Sequence, residues 1–398
     1  MQTRREFCGV LAAAATARRA RAAATGKLKI TGFRTHKVTL RWRDLMFLEV
    51  LTDGGITGLG EATLETRTDL AEQALRWLEQ HMVGLDPAGP EEHWDRNYYR
   101  LSRWRNGPDI FTALSAVDIA LWDIEGKRLG VPVWRLLGGP VHPKLRVYHT
   151  HWDATLPART PSAISEHAAR THQKGWTAIK FTVPLRGPEP ERRRIATQQL
   201  EAIRQAVGDS MDICLEAAEG YTVRSAIEFA RAVAPYKPLF LEEPVWRENP
   251  AALGEVAAKS PVPIATGEGI FSRYEFRQLL EAKGAAIVQP DVMHAGGITE
   301  IRKIANLAET FGAEIAPHQC SGPVGHVASI TVMSVCRNFL IEEWEGADDG
   351  LYLELTGGKY PVQKEGYVSL PEGPGLGIEV DFEQFKRRFP YKPITKRT

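Results

Sequence analysis

The chain has 398 residues, 43% of them apolar and 25% charged, with a formal net charge of +1. That length can bury a barrel-sized core and still carry a second, smaller domain. The near-zero charge, with tryptophans scattered rather than interleaved with Lys and Arg, excludes a basic nucleic-acid face, and the four cysteines have no CxxC or zinc-type spacing.

Residues 1–25 read apart from the rest. Thr3-Arg4-Arg5-Glu6-Phe7 leads into an apolar stretch over residues 8–15, then Arg18, Arg19 and Arg21, then an Ala-rich run with Ala-x-Ala sites. This pattern resembles a twin-arginine export signal, and its apolar core is too short to span a bilayer, so no stable membrane insertion is expected. The expectation is export to the periplasm, with a cytoplasmic protein bearing an N-terminal arm as the alternative. Cleavage near Ala23 would remove five arginines and Glu6, turning a charge of +1 into −3.

Residues 26–147 read as an α+β domain. Alternation at 29–38 and 46–52 suggests strands, and Asp53-Gly54 supplies a hairpin turn into a third strand at 56–60. Gly55, Gly58 and Gly60 lack the βαβ context of a dinucleotide fingerprint. Helical periodicity follows at 68–82 and at 110–129, where Leu114, Val117, Leu121 and Ile124 share a stripe that Gly130-Val131-Pro132 ends.

Residues 148–349 alternate between strands and helices. Counting one strand that starts just before this boundary, eight strands are expected, at 145–151, 178–183, 212–217, 239–244, 263–268, 285–291, 314–318 and 339–343. Amphipathic segments such as 162–174, 191–207, 223–234 and 298–311 lie between them. Glu216, Glu242, Glu268 and Asp291 follow at intervals of 26, 26 and 23 residues, each closing a short apolar run. One strand with its crossover helix fits that spacing, so the fold class is α/β, a barrel whose strand ends converge on one mouth. Residues 350–398 are turn-rich, and 371–377 are expected to pack back on the first domain.

Converging carboxylates repel unless a cation lies between them, and oxygen donors of this kind suit Mg2+ better than zinc. Lys180 ends the second strand, His318 the seventh and Glu343 the eighth. Asp291 beside His318 is an orienting pair that fixes the imidazole tautomer and makes His318 the candidate for proton transfer. Lys180 is a second base, a stabiliser of a substrate carboxylate, or an ion-pair partner of the metal acids. Arg43, with Trp42, Arg103 and Arg105, either meets the substrate or packs as a surface cation against the barrel.

From about Leu28 onward the chain resembles the enolase superfamily in its mandelate racemase/muconate lactonizing enzyme branch, and within it the D-galactonate dehydratase type. The resemblance is carried by Gly55-Ile56-Thr57-Gly58-Leu59-Gly60-Glu61, Asp118-Ile119-Ala120-Leu121-Trp122-Asp123, Leu241-Glu242-Glu243-Pro244, Gln289-Pro290-Asp291 with His294-Ala295-Gly296-Gly297, Ala316-Pro317-His318, and Pro374-Gly375-Leu376-Gly377. It implies a modified TIM barrel, (β/α)7β, under an α+β N-terminal capping domain. It further implies Mg2+ on Glu216, Glu242 and Glu268, Asp291 and His318 as the catalytic dyad, and Glu343 bonded to the substrate carboxylate.

The implied reaction removes the proton α to a carboxylate and then expels a β-hydroxyl, dehydrating an acid sugar to a 2-keto-3-deoxy acid. Two departures stand out. Glu216 is one methylene longer than the Asp usual in this branch, and Ala218 occupies the place of a second catalytic His, which leaves Lys180, Glu219 or Tyr221 as further candidates. A racemase, epimerase or cycloisomerase, or an exported non-catalytic binding protein, are the alternatives; the partner is a small hydroxy acid and the assembly a homo-oligomer.

Overall fold

The computed structural model describes residues 27–101, 103 and 105–394, so the export-signal expectation at 1–25 lies outside the described residues. Strands β1 (Ile30–Leu40), β2 (Arg43–Thr52) and β3 (Thr57–Glu61) form an antiparallel meander whose second turn is the Asp53-Gly54 hairpin. The helix Pro108–Leu129 lies across this sheet. A Cβ on Gly58 or Gly60 would collide with the carbonyl of Ala120 or Ala116. The glycine-rich run therefore serves backbone-to-backbone packing of helix on sheet rather than ligand binding.

Eight parallel strands follow: β4 (Lys144–His149), β5 (Ala178–Thr182), β6 (Asp212–Glu216), β7 (Phe240–Glu242), β8 (Ile264–Thr266), β9 (Ile287–Val288), β10 (Glu314–Ile315) and β11 (Glu342–Trp344). They pair in the order β10-β9-β8-β7-β6-β5-β4-β11, and a parallel bridge from Ile315 to Phe339 joins the two ends. The fold is the capped, modified TIM barrel expected.

Several strands stop short of the residues expected to close them: β8 ends two residues before Glu268 and β9 three before Asp291. Those carboxylates sit on the loops beyond the ladder, where the backbone is free to aim them inward. Just beyond β6 and β7, Ala218, Glu219 and Glu243 take φ of 47°, 58° and 41°, a region non-glycine residues enter only where surroundings enforce it.

The last segment crosses back to the cap. Strand β12 (Tyr367–Ser369) pairs antiparallel with β4, and the Leu376 N–H donates to Asp123 in the cap helix at 2.7 Å. In the helix Phe382–Arg388, Phe382 stacks on His36 of β1 with ring centroids 4.0 Å apart, and Phe385 is fully buried. Each such aromatic contributes about 1.5–3 kcal/mol by leaving water.

Candidate active site at the barrel mouth

Side chains alternate along a strand, and that period of two builds the site. One interior layer of the barrel is apolar: Tyr148, Ala178, Cys214, Phe240, Ala265, Ile287, Ala316 and Ile341. Two residues further along each strand come Thr150, Lys180, Glu216, Glu242, Gly267, Gln289, His318 and Glu343. The polar residues thus form the next layer up, floored by a dry core and open toward the cap. Above it is a cavity of about 810 Å³, walled by Lys180, Glu216, Glu268, Asp291, His318 and Glu343 from the barrel and by Arg41, Trp42, Thr63, Leu64 and Glu65 from the cap.

Lys180 sits at the centre of this layer. Its Nζ donates to Glu242 Oε1 at 2.9 Å, lies 2.8 Å from Glu343 Oε1, and lies 3.8 Å from Glu216 Oε2. Burial alone would favour the neutral amine, but the charges of Glu242 and Glu343 outweigh it and hold the ammonium well above its ordinary range. Glu343 is affected in the opposite sense: burial opposes its charge, and Lys180 and His318 overcome that and hold it ionised. In the structure Lys180 is thus ion-paired with Glu242 and Glu343.

Glu216 is pushed well upward by burial and by the charge of Glu242 beside it. Its Oε1 accepts from the Ala218 N–H, which turns the longer side chain back onto its own loop. Glu242 is buried with Oε2 unpartnered, and both amide atoms of the nearby Gln289 are unpartnered as well. An unsatisfied carboxylate oxygen beside a second carboxylate that cannot easily ionise is the environment a divalent cation would relieve. The donor set therefore fits Mg2+. Among the described residues, however, the three ligand-type groups whose donor atoms all lie within 4.8 Å of one another are His318, Cys320 and Glu343. The three glutamates must draw together to share an ion.

On the opposite wall, His318 Nδ1 meets Asp291 Oδ2 at 2.7 Å, and its Nε2 lies 3.5 Å from Glu268 Oε2. Asp291 is fully buried; burial would raise its carboxyl, but His294 and His318 hold it down as an anion. Burial disfavours the imidazolium of His318, yet Cys320, Glu268 and Asp291 together raise it well above the ordinary histidine range. Asp291 thus fixes the ring with Nε2 facing the cavity.

Arg43 requires a correction. It is 2% exposed, donates to the Cys320 carbonyl (2.8 Å) and Asp348 (2.8 Å), and lies 3.5 Å from Glu345. With its guanidinium committed to these groups it reaches no substrate; it pins the loop that carries His318. Glu61 of β3 does the same, accepting from Gly322 N at 2.7 Å and Gly325 N at 2.9 Å. Arg105 lies over the rings of Tyr98 and Tyr99, beside a separate cavity, whereas Trp42 does line the site. Glu219 accepts from Arg247 N at 3.1 Å and Tyr221 packs on Phe229. Neither is among the cavity's lining residues.

Sequence reasoning missed His294, Cys320, His151 and Glu243, all of which line the cavity. His294 Nε2 lies 3.7 Å from Asp291 Oδ2 and its Nδ1 2.9 Å from Thr112 Oγ1; its place one turn after Asp291 was the available signal. Cys320 follows His318 by two residues, the same period that built the layer. Glu243 is lifted to about 8 by burial and by Glu268. The cap helix also anchors this wall, since Asp118 Oδ2 accepts from Thr299 N at 2.9 Å and Ser115 Oγ from Gly296 N at 2.9 Å.

Fold and site together define a capped barrel with its ionisable groups gathered at the C-terminal mouth of the strands. Residues 23–138 match the mandelate racemase/muconate lactonizing enzyme N-terminal domain, and residues 163–385 the enolase C-terminal domain-like family. The chain is 35% identical over 372 residues to the D-galactonate dehydratase of Cronobacter sakazakii, covering 91% of this chain and 94% of that one. It is 37% identical over 370 residues to the D-galactonate dehydratase of Xanthomonas euvesicatoria, covering 90% and 94%. A solved mandelate racemase/muconate lactonizing enzyme-like protein from Roseovarius superposes with a TM-score of 0.84 at 32% identity, covering 92% of this chain and 96% of that one. The chain belongs to the mandelate racemase/muconate lactonizing enzyme family of the enolase superfamily.

Proposed function

We propose that the protein is a hydro-lyase that dehydrates an acid sugar, an aldonate or aldarate, to a 2-keto-3-deoxy acid with the aid of Mg2+. One observation carries the reading: the buried Asp291–His318 pair faces Lys180 and the carboxylates across one cavity. Glu216, Glu242 and Glu268 would hold the ion. Mg2+ when bound supplies the positive charge that makes an α-proton of a carboxylate acidic enough to remove.

The chain's own residues do the rest. His318 Nε2, freed for the cavity by Asp291 on Nδ1, takes the α-proton after first giving up to solvent the proton that Glu268 and Asp291 favour on it. The electron pair left on the α-carbon expels the β-hydroxyl, and the imidazolium returns the proton to it, so that water leaves. The enol then tautomerises to the keto acid with a proton added at C3. Lys180, oriented by Glu343 at 2.8 Å, supplies the positive charge that holds the substrate carboxylate. A single base that becomes the acid suits syn elimination. Two-base racemisation lacks a second imidazole at Ala218, and for the same reason D-galactonate is not assigned as the substrate.

The test is a screen of acid sugars with Mg2+, following 2-keto acid formation, with His318→Asn as control. Turnover by the wild type that the variant lacks supports the reading. Tight binding of an acid sugar without α-proton exchange in D2O would replace it with a non-catalytic binding protein.

A further inference from the structure

We propose that His318, Cys320 and Glu343 form a second metal site, one that takes Zn2+ or another thiophilic dication and blocks the mouth of the barrel. The donor set is one nitrogen, one sulfur and one oxygen, all within 4.8 Å of one another. Tetrahedral zinc, with bonds of about 2.3 Å to sulfur and about 2.1 Å to oxygen, places those two atoms about 3.6 Å apart. Cys320 Sγ donates to Glu343 Oε1 at 3.5 Å, so a hydrogen bond already holds the two atoms at that spacing.

The surroundings are built for ligation. Asp291 on His318 Nδ1 leaves Nε2 as the donor and orients the ring, the carboxylate–histidine arrangement that supports metal-bound imidazoles. The Gln319 N–H donates to Glu343 Oε2 at 3.0 Å and fixes that carboxylate. Arg43 on the Cys320 carbonyl and Glu61 on the next turn hold the loop. Softness separates this site from the glutamates: thiolate and imidazole favour zinc, whereas Mg2+ prefers all-oxygen donors and leaves a thiol alone.

On binding, the Cys320 thiol proton and the Nε2 proton of the His318 imidazolium pass to solvent, sulfur–metal and nitrogen–metal bonds form and no electron is transferred. Lys180, 2.8 Å from Glu343 Oε1, opposes a second cation and limits the affinity. Inhibition follows if His318 is the proton carrier proposed above, because a ligated Nε2 cannot accept a proton. Metal binding itself does not rest on that reading.

The probe is Co2+, added to the full-length protein with Mg2+ held in excess. A thiolate-to-cobalt charge-transfer band is expected in the near ultraviolet, saturating at one equivalent, removed by Zn2+, lost in Cys320→Ser and kept in Cys8→Ser. No band, or a band that persists in Cys320→Ser, overturns the proposal. Should Cys320→Ser fail to fold, the wild type still decides. Zn2+ but not Mg2+ is expected to slow alkylation of Cys320, mapped by mass spectrometry, on the order of tenfold, because a ligated thiolate is no longer a free nucleophile; equal rates overturn it. A band in a protein that turns over no acid sugar would count against the dehydratase reading alone.

Discussion

Replacing Lys180 with methionine isolates what the cation does among the acids. The lysine is 7% exposed and holds Glu242 and Glu343 at 2.9 and 2.8 Å. Breaking a buried pair from one side costs about 3–5 kcal/mol. An independent limit agrees, because one orphaned glutamate can instead take a proton, which at pH 7 costs about 3.4 kcal/mol for a carboxyl of ordinary pKa near 4.5. For a chain of 398 residues the unfolding entropy scales this to a drop of about 4–6 °C in Tm. Because a proton can substitute for the lysine, the loss should shrink by about 2.7 kcal/mol between pH 7 and pH 5.

Mg2+ should offset the same loss, as a second cation reaching Glu216 and Glu242. Lys127→Met is the control: Lys127 pairs at 2.7 Å with Asp123, a buried acid of the cap helix, so that variant should fall in Tm with no Mg2+ rescue. The assay is thermal unfolding of wild type and both variants at pH 5 and pH 7, with and without Mg2+. Equal rescue of both variants, or none of Lys180→Met, would refute the argument that the glutamates share a cation site.

Three further outcomes are expected. His149 is half-buried against Trp176 and depressed to about 4, by loss of solvation above all. Its folded pKa lies below the unfolded value near 6.5, so its stabilisation is complete above 6.5 and is lost as pH falls toward 4, on the order of 3 kcal/mol; His149→Asn should flatten the wild-type decline in urea midpoint over that window. Ala218→His should introduce dehydration of D-galactonate at little cost in stability, since histidine tolerates the left-handed φ of 47° better than most residues, and coupled keto-acid detection reads it out. The Arg4-Arg5 signal predicts a periplasmic protein with a new N-terminus near residue 23, so an intact Met1 found by sequencing the cytoplasmic protein would remove the export proposal.

The barrel was legible because each strand end announces itself twice, by an apolar run and by the charge that closes it. Glu216 and Glu242 could be placed from their sequence neighbours alone. Glu268, Asp291 and His318 could be ordered around the mouth but not located on it, since whether a residue ends a strand or begins a loop depends on hydrogen bonds to the next strand. Arg43 shows what local pattern cannot supply. An arginine at the start of a cap strand faces either water or the barrel, and only the distant Asp348 and the Cys320 carbonyl decide that it is buried. The cap helix shows a hydrophobic stripe in the sequence, while its polar residues bind outward: Asp118 accepts from Thr299 across the domain junction, and Asp123 accepts from Leu59 of β3 and from Leu376 of the last segment.

Those junction bonds bear on how the site keeps its geometry. The wall carrying His294 hangs from the cap helix through Ser115 and Asp118, and the loop carrying His318 hangs from β2 and β3 through Arg43 and Glu61. Asp291 and His318, which meet at 2.7 Å, thus each sit beside a segment bonded to the cap. Acids packed this densely would drive the mouth open if nothing restrained them, and burial makes that repulsion stronger rather than weaker. The cap thus does more than close over the barrel mouth: it supplies contacts that hold mutually repelling groups together, and under the proposed function a cation and a substrate carboxylate would complete the site.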